Sequence, residues 1–480
     1  MTEKDSGRKI PRLRLIFGAA LALAVVFALS LCVTAAVRFR QFASGAEPSP
    51  LSDDERVALM SLLYERYPEN FGVLRNLPYS IPSPNLDVRA KSAIIVDVSN
   101  GNILYQKNAD EVIPPASMTK LFAMYVVDEE VSAGNLSYDQ IIPLVPESWA
   151  CNMPPRSSLM FLGEGQRVTL EELLLGLSVC SGNDAAYALA YTISGNMENF
   201  VERMNLVASD LGLVNTHFVE SSGYSERNTT TAREMAVFAR EYLRRHPDSL
   251  ARYHSVMSFT YPKEHNLAPG DSPAAQDFSQ GLPRHITMPV TQHNTNPLLG
   301  RLDGCDGLKT GYIDESGYNL ALTAKRGGTR FLSVTMGGPG QNSAEGQAVR
   351  VHDGTELMEW AFYSFADYDF SDYSRPYFVR NFGSSQRAFA LIPVLQEKTA
   401  TIPFLTGTTM AENLVSVEIS ADYPRWHKGS VLQGEVLGGI EITLAGYTIQ
   451  RIPLVSDRTA KKSAWFIALA DRIALLFLKA

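Results

Sequence analysis

Cysteine is scarce, with four in 480 residues. That excludes a fold stapled by disulfides. None of Cys32, Cys151, Cys180 and Cys305 falls in a C-x-x-C or Cys/His cluster, so no structural metal is expected. The chain also lacks a G-x-x-x-x-G-K-[ST] run and a strand-linked G-x-G-x-x-G, so no nucleotide cofactor has support. Neither a metal nor any other cofactor is expected. Positive charge is in deficit, 43 Lys and Arg against 51 Asp and Glu. A net charge of −8 argues against a nucleic-acid partner, which is usually met by a basic domain. Internal repeats are absent too. What remains is ordinary globular composition, 45% apolar and 20% charged, ample for a packed core.

Charge vanishes altogether between Leu15 and Val37. About 20 apolar residues suffice to span a bilayer, so this segment is long enough. Lys4, Arg8, Lys9, Arg12 and Arg14 precede it, whereas only Arg38 and Arg40 follow closely. The heavier basic flank keeps the N-terminus in the cytoplasm, so the rest of the chain is expected outside. Small residues around Ala43 to Ala46 would permit cleavage, and the sequence leaves that open. The other end, SAWFIALADRIALLFLKA, is apolar but carries Asp471 and Arg472 in its middle. On a helical wheel Lys461, Arg472 and Lys479 share one face. A narrow charged face opposite Trp, Phe and Leu suits the bilayer interface. Docking on the protein's own core is the competing expectation.

Between these ends the pattern changes twice. Residues 1–40 form the basic tail and anchor, and 41–84 a linker with a short helix near Asp53 to Arg66. From Lys91, SAIIVDV and ILYQK flank Asn100-Gly101, a strong hairpin signal. A helix is expected to start near Ser117, after Pro114-Pro115. Thr169 with Glu172 and Thr231 with Glu234 fit capping boxes. Residues 262–286 read as an inserted loop. Strands return after Gly304, and a closing helix covers roughly Ser343 to Phe365. Strands first, then helices, then strands imply an α+β domain over 85–375. Short alternating runs over 376–458 imply a small all-β domain, and 459–480 the terminal amphipathic helix.

Three short clusters carry chemistry. Ser117-Met118-Thr119-Lys120 places a serine and a lysine at i and i+3, on one helix face. A serine hydroxyl needs a base to become a nucleophile, and Lys120 is in reach. Free N–H groups and the positive dipole end at the helix start suit a developing oxyanion. Ser181-Gly182-Asn183 offers a proton relay and an amide partner. Lys309-Thr310-Gly311 adds a charge expected to lower the pKa of Lys120. Thr310 can bond a carboxylate, and Gly311 lets substrate backbone approach the strand. By chance an S-x-x-K should occur about twice in such a chain, and a K-T-G about once in ten chains. Their weight lies in the order of all three.

That order resembles the signature of penicillin-binding proteins and serine β-lactamases. The surrounding segments, IPPASMTKLFAMYVV, LLLGLSVCSGNDAAYALA and NTNPLLGRLDGCDGLKTGY, resemble the D-Ala-D-Ala carboxypeptidases of peptidase family S11. So does GSVLQGEVLGGIEITLAGYTIQRIPLV in the C-terminal part, and the likeness covers roughly 85–480. It implies a β-lactamase-like α+β catalytic domain followed by the all-β domain. It also implies Ser117 as the acylated nucleophile, Lys120 as base and Ser181 as proton relay. Asn183, Lys309 and Thr310 would bind substrate. Backbone N–H groups of Ser117 and Tyr312 would form the oxyanion hole, and Arg350 would lie near the substrate carboxylate. The substrate implied is the peptidoglycan stem pentapeptide on the outer face of a bacterial membrane, with β-lactams as covalent inhibitors. Two departures stand out. The apolar N-terminus is long for a cleaved signal, and ESSGYSERNTTTARE replaces a His-Gly loop.

A class A β-lactamase would need an E-x-x-L-N-like loop, and residues 184–308 contain none. A transpeptidase or endopeptidase would use the same residues with another acceptor or bond. A catalytically dead wall-binding scaffold is the non-enzymatic alternative.

Overall fold

The computed structural model describes residues 10–45, 47–67, 73–395, 398–403, 417–444 and 446–478. Lys4, Arg8, Lys9 and Lys479, named above as flanking charges, lie outside them. The chain divides into two compact units. One comprises 1–69, 369–398 and 414–480, and the other comprises 70–368 and 399–413.

The first unit opens with helices α1 (Ile10–Ala43) and α2 (Asp53–Arg66). Side chains 15–30 of α1 are exposed, and the helix is long and apolar enough to cross a bilayer. A complete capping box, Ser52 with Glu55, starts α2. This helix packs on the β-rich part of its own unit, with Arg66 Nη1 donating to the Gly434 carbonyl at 2.7 Å.

The second unit holds the site. Its six-stranded sheet contains β1 (Arg75–Asn76), β2 (Ser92–Asp97), β3 (Asn102–Lys107), β4 (Cys305–Ile313), β5 (Gly317–Arg326) and β6 (Thr329–Gly338). The strand order is β1-β3-β2-β6-β5-β4. All neighbours are antiparallel except the short β1–β3 pair. Every residue of β2 is buried, because both sheet faces are covered. Its alternation sorts the core: Ile94 and Val96 enter one apolar cluster, Ala93 and Ile95 the other. The second cluster includes Leu357, Met358 and Ala361 of the closing helix (Ser343–Ser364).

Over the first face lie the helices α3 (Lys120–Ser132), α4 (Leu170–Leu175), α5 (Asn183–Ser194), α6 (Met197–Asp210) and α7 (Ala232–Arg245). The closing helix is α8. Phe122 of α3 stacks on Phe238 of α7. Thr169 and Glu172 form the expected reciprocal cap. At α7 only half of the box forms. Thr231 caps Glu234, but the Glu234 carboxylate turns to Asn215 and Thr216. Segment 262–286 contains only one short 3-10 turn, Glu264–Asn266.

The all-β part of the first unit holds β7 (Tyr377–Phe382), β8 (Ala388–Pro393), β9 (Val417–Asp422), β10 (Trp426–Lys428), β11 (Val436–Leu444) and β12 (Tyr447–Ser456). They form one sheet in the order β9-β11-β12-β8-β7-β10. Helix α9 (Trp465–Leu478) ends the described chain. Ala470, Asp471 and Ala474 are buried, whereas Trp465, Phe466, Leu476 and Phe477 are exposed. The terminal helix therefore docks one small-residue face and leaves an apolar face open.

Candidate active site

Pro114-Pro115 breaks the chain, and Ala116 takes a left-handed conformation with φ of 50°. Ala116–Thr119 form a 3-10 turn that continues into α3. Ser117 sits on that turn, a tighter start than the α-helix expected from sequence. Lys120, fully buried, reaches back so that Nζ donates to Ser117 Oγ at 2.9 Å. It also donates to Asn183 Oδ1 at 2.8 Å and the Ser222 carbonyl at 2.6 Å. All three ammonium donors are thereby used, and no carboxylate is among the acceptors.

The second cluster lies where α4 gives way to a π-turn, Gly176–Cys180. Ser181 follows in left-handed conformation, φ 58°, a sparsely populated region for a residue with a side chain. Lys309 Nζ of β4 donates to Ser181 Oγ at 3.0 Å. Thus the triad Ser117–Lys120–Asn183 and the pair Ser181–Lys309 are brought together.

Burial sets the electrostatics. It lowers the pKa of Lys120 to about 7, against partial opposition from Glu220 and Asp184. Lys309 falls well below the ordinary lysine value, first through burial, then through Lys120 and Arg350. The Lys309 charge, expected to lower Lys120, is not among the leading causes. Desolvation is instead the leading cause.

Gly311 has a stronger reason than substrate approach. A Cβ there would meet the Pro115 carbonyl at 2.4 Å, so the glycine lets edge strand β4 press against the nucleophile turn. Thr310 Oγ1 donates to Thr295 Oγ1 at 2.7 Å. Arg350 lies buried beside the third cluster. It is 5% exposed, and its guanidinium donates to the Gly311 and Asn319 carbonyls at 2.5 and 3.0 Å. It ties β4 to β5, and its charge helps to lower the pKa of Lys309.

A cleft with a volume of about 220 Å³ is lined by Ser117, Ser158, Asn183, Gly223 and Tyr312 among others. A larger depression of about 910 Å³ includes Thr295 and Gln347 but not the serine. Among the described residues no cluster of His, Cys, Asp or Glu is arranged to hold a metal ion.

Sequence reasoning missed the Ser222 carbonyl, Ser157 and Asp184. Ser157 Oγ accepts from Asn183 Nδ2 at 3.1 Å. The buried Asp184 carboxylate gathers the N–H groups of Met160, Phe161 and Leu162 beside the second cluster. Only the acid following Asn183 in the string SGND hinted at it.

A two-faced antiparallel sheet with this serine and two buried lysines defines the class: a penicillin-binding-protein fold. Penicillin-binding protein 5 from Haemophilus influenzae superposes with a TM-score of 0.65 at 26% identity, covering 80% of this chain and all of that one. The chain belongs to the D-alanyl-D-alanine carboxypeptidase family, peptidase family S11, whose model matches residues 79–340. It is 29% identical over 390 residues to the carboxypeptidase DacF of Bacillus subtilis, covering 80% of this chain and 88% of that protein. Against DacA of Escherichia coli it is 29% identical over 411 residues, covering 84% and 91%.

Proposed function

We propose that the chain is a serine-type D-Ala-D-Ala carboxypeptidase that removes the terminal D-alanine of peptidoglycan stem pentapeptides. The observation that carries this reading is the 2.9 Å bond between Lys120 Nζ and Ser117 Oγ, with burial making the amine a base near neutral pH. Lys120 takes the hydroxyl proton as Oγ attacks the penultimate D-alanine carbonyl. The N–H groups of Ser117 and Tyr312 receive the oxyanion. Ser181, held by Lys309, passes a proton to the leaving amine. Lys309 and Thr310 hold the terminal carboxylate, and Asn183 holds the peptide amide. Water then repeats the sequence on the acyl-enzyme. A β-lactam offers a strained amide and a carboxylate to the same groups and acylates Ser117.

The site works outside the cell membrane in this reading. Helix α1 is long and apolar enough to cross a bilayer, and its basic flank favours a cytoplasmic N-terminus.

Mass spectrometry of a pentapeptide ending in D-Ala-D-Ala tests the assignment. Loss of one D-alanine with the wild-type chain, and none with Ser117→Ala, is the expected result. Cleavage at another bond, or none, overturns it. Rapid turnover of nitrocefin would instead favour a β-lactamase.

A further inference from the structure

Asp471 sits in the middle of apolar α9 and is 1% exposed. Its partner comes from the far end of the chain. Arg38 of α1, 7% exposed, forms a two-pronged ion pair with it: Nε donates to Oδ1, and Nη2 donates to Oδ2 at 2.7 Å. Oδ2 also accepts the Gly383 N–H at 2.7 Å. Around this pair the fit is apolar and close. Phe42 is 1% exposed and lies on Phe382, ring centroids 4.2 Å apart, beneath the Arg38 guanidinium. Phe39 meets Phe477 edge-on, and Phe27 meets Trp465. Ala35, Ala470 and Ala474 are buried small residues that let helices approach closely.

We propose that α9 and the β7 end form a docking surface for this chain's own α1, so that α1 is kept as a permanent part of the folded protein. The membrane anchor is then composite, and the Arg38–Asp471 pair is its latch. The chemistry argues for this occupant. A buried carboxylate without its guanidinium is strongly disfavoured, whereas a two-pronged pair satisfies both groups. Helix α1 also continues through Ala43, with Phe42 buried, at the place where small residues would have permitted cleavage. The outer sides of both helices stay apolar and exposed, Leu23, Val26, Leu29, Leu476 and Phe477 among them, and face lipid. The membrane part rests on the reading above, and the latch does not.

The test uses the full chain with a tag at each end, expressed in a bacterium and recovered by membrane fractionation. Intact mass is expected to include α1. Arg38→Asp and Asp471→Arg are each expected to make the C-terminal tag at least tenfold more sensitive to limited proteolysis in detergent. The double swap should restore resistance. Penicillin labelling of Ser117 confirms a folded catalytic unit in every variant. A membrane-bound chain shortened near Ala43 overturns the latch but leaves membrane attachment standing. A soluble chain that retains α1 does the reverse. A double swap as sensitive as the single ones also overturns it.

A separate observation points to a positioning residue for Lys120. Glu220 collects the N–H groups of Ser222 and Gly223, both at 2.7 Å, the Ser222 hydroxyl at 2.5 Å and the Asn228 amide at 2.9 Å. That grip shapes the turn whose Ser222 carbonyl receives Lys120. It also presses Gly223 against the nucleophile turn, where a Cβ would meet the Ala116 carbonyl at 1.8 Å. We infer that Glu220 acts through this turn, holding Lys120 over Ser117. The charged groups facing Lys120 are Glu220, Asp184 and Lys309, and Tyr187 faces Glu220. Acylation by a fluorescent penicillin against pH distinguishes this role from a merely structural one. E220Q should slow acylation tenfold or more and move the acid limb to lower pH, because a charge favouring the ammonium form is lost. E220D should recover most of the rate. An unmoved limb, with a rate loss matching the unlabelled fraction, overturns it. If E220Q does not fold, E220D decides: full labelling at most of the wild-type rate with an unmoved limb supports the role, and a fully labelled E220D slowed tenfold or more counts against it.

Discussion

In the first unit, buried Arg38 meets a carboxylate and both charges are neutralised. In the catalytic unit, buried Lys120 and Lys309 bond only to hydroxyls, a carboxamide and carbonyls. The two arrangements face the same desolvation penalty and resolve it differently. A paired charge keeps its ionisation and fixes geometry. An unpaired ammonium gives up its proton more easily, which is what a base needs. The difference separates a charge kept for architecture from charges kept for chemistry, and variants at each site test it.

Lys309→Met should have the largest effect on activity. It removes the group that holds Ser181 Oγ, so acylation by a fluorescent penicillin should fall about 10²–10⁴-fold. The same variant should melt at higher temperature, because a near-isosteric apolar chain replaces an uncompensated buried cation. The sign follows from linkage. The folded-state pKa lies below the unfolded value, so the folded chain binds fewer protons and the penalty is full at low pH. The gain should shrink as pH rises toward the unfolded lysine value of about 10.4. A destabilised Lys309→Met protein would break the comparison.

Arg38→Met should behave oppositely. It strands Asp471 and should lower the stability of its unit by about 3–5 kcal/mol, read by denaturant unfolding in detergent. Penicillin acylation of Ser117 should be unchanged. Arg350→Lys lies between the two cases, since Arg350 is buried and unpaired but serves geometry. A lysine cannot bridge the Gly311 and Asn319 carbonyls as the planar guanidinium does. Acylation should slow about tenfold, which steady labelling kinetics would resolve.

Much of this was legible from residues alone because the patterns are local. Asn100-Gly101 between apolar runs marks a hairpin, and β2 and β3 pair as expected. Thr169 and Glu172 lie three apart and cap α4. The serine, the lysines and Asn183 were readable because each stands in a short motif. What escaped depends on distant chain segments. Nothing near Asp471 in sequence reveals Arg38, 433 positions away. Arg350 could be placed near the third cluster, but not the direction of its guanidinium. Ser222 contributes a carbonyl, which no side-chain pattern reports. The 3-10 turn at Ser117 also escaped, because it follows a left-handed Ala116 that lies against the distant Gly311 and Gly223.

The smallest effect sharpens the comparison most, because it needs no mutation. In the proposed mechanism acylation requires neutral Lys120, whose pKa burial brings to about 7. Above that value the base form dominates and the rate should be flat. Below it the neutral fraction falls tenfold per pH unit, so acylation at pH 6 should run at about a tenth of its plateau. The Arg38–Asp471 pair takes no part in this step, so Arg38→Met should keep the same limb. Stopped-flow labelling of the wild-type chain and Arg38→Met from pH 5 to pH 9 separates the two. A flat acylation profile down to pH 5 would mean that Lys120 is not the group that takes the proton from Ser117.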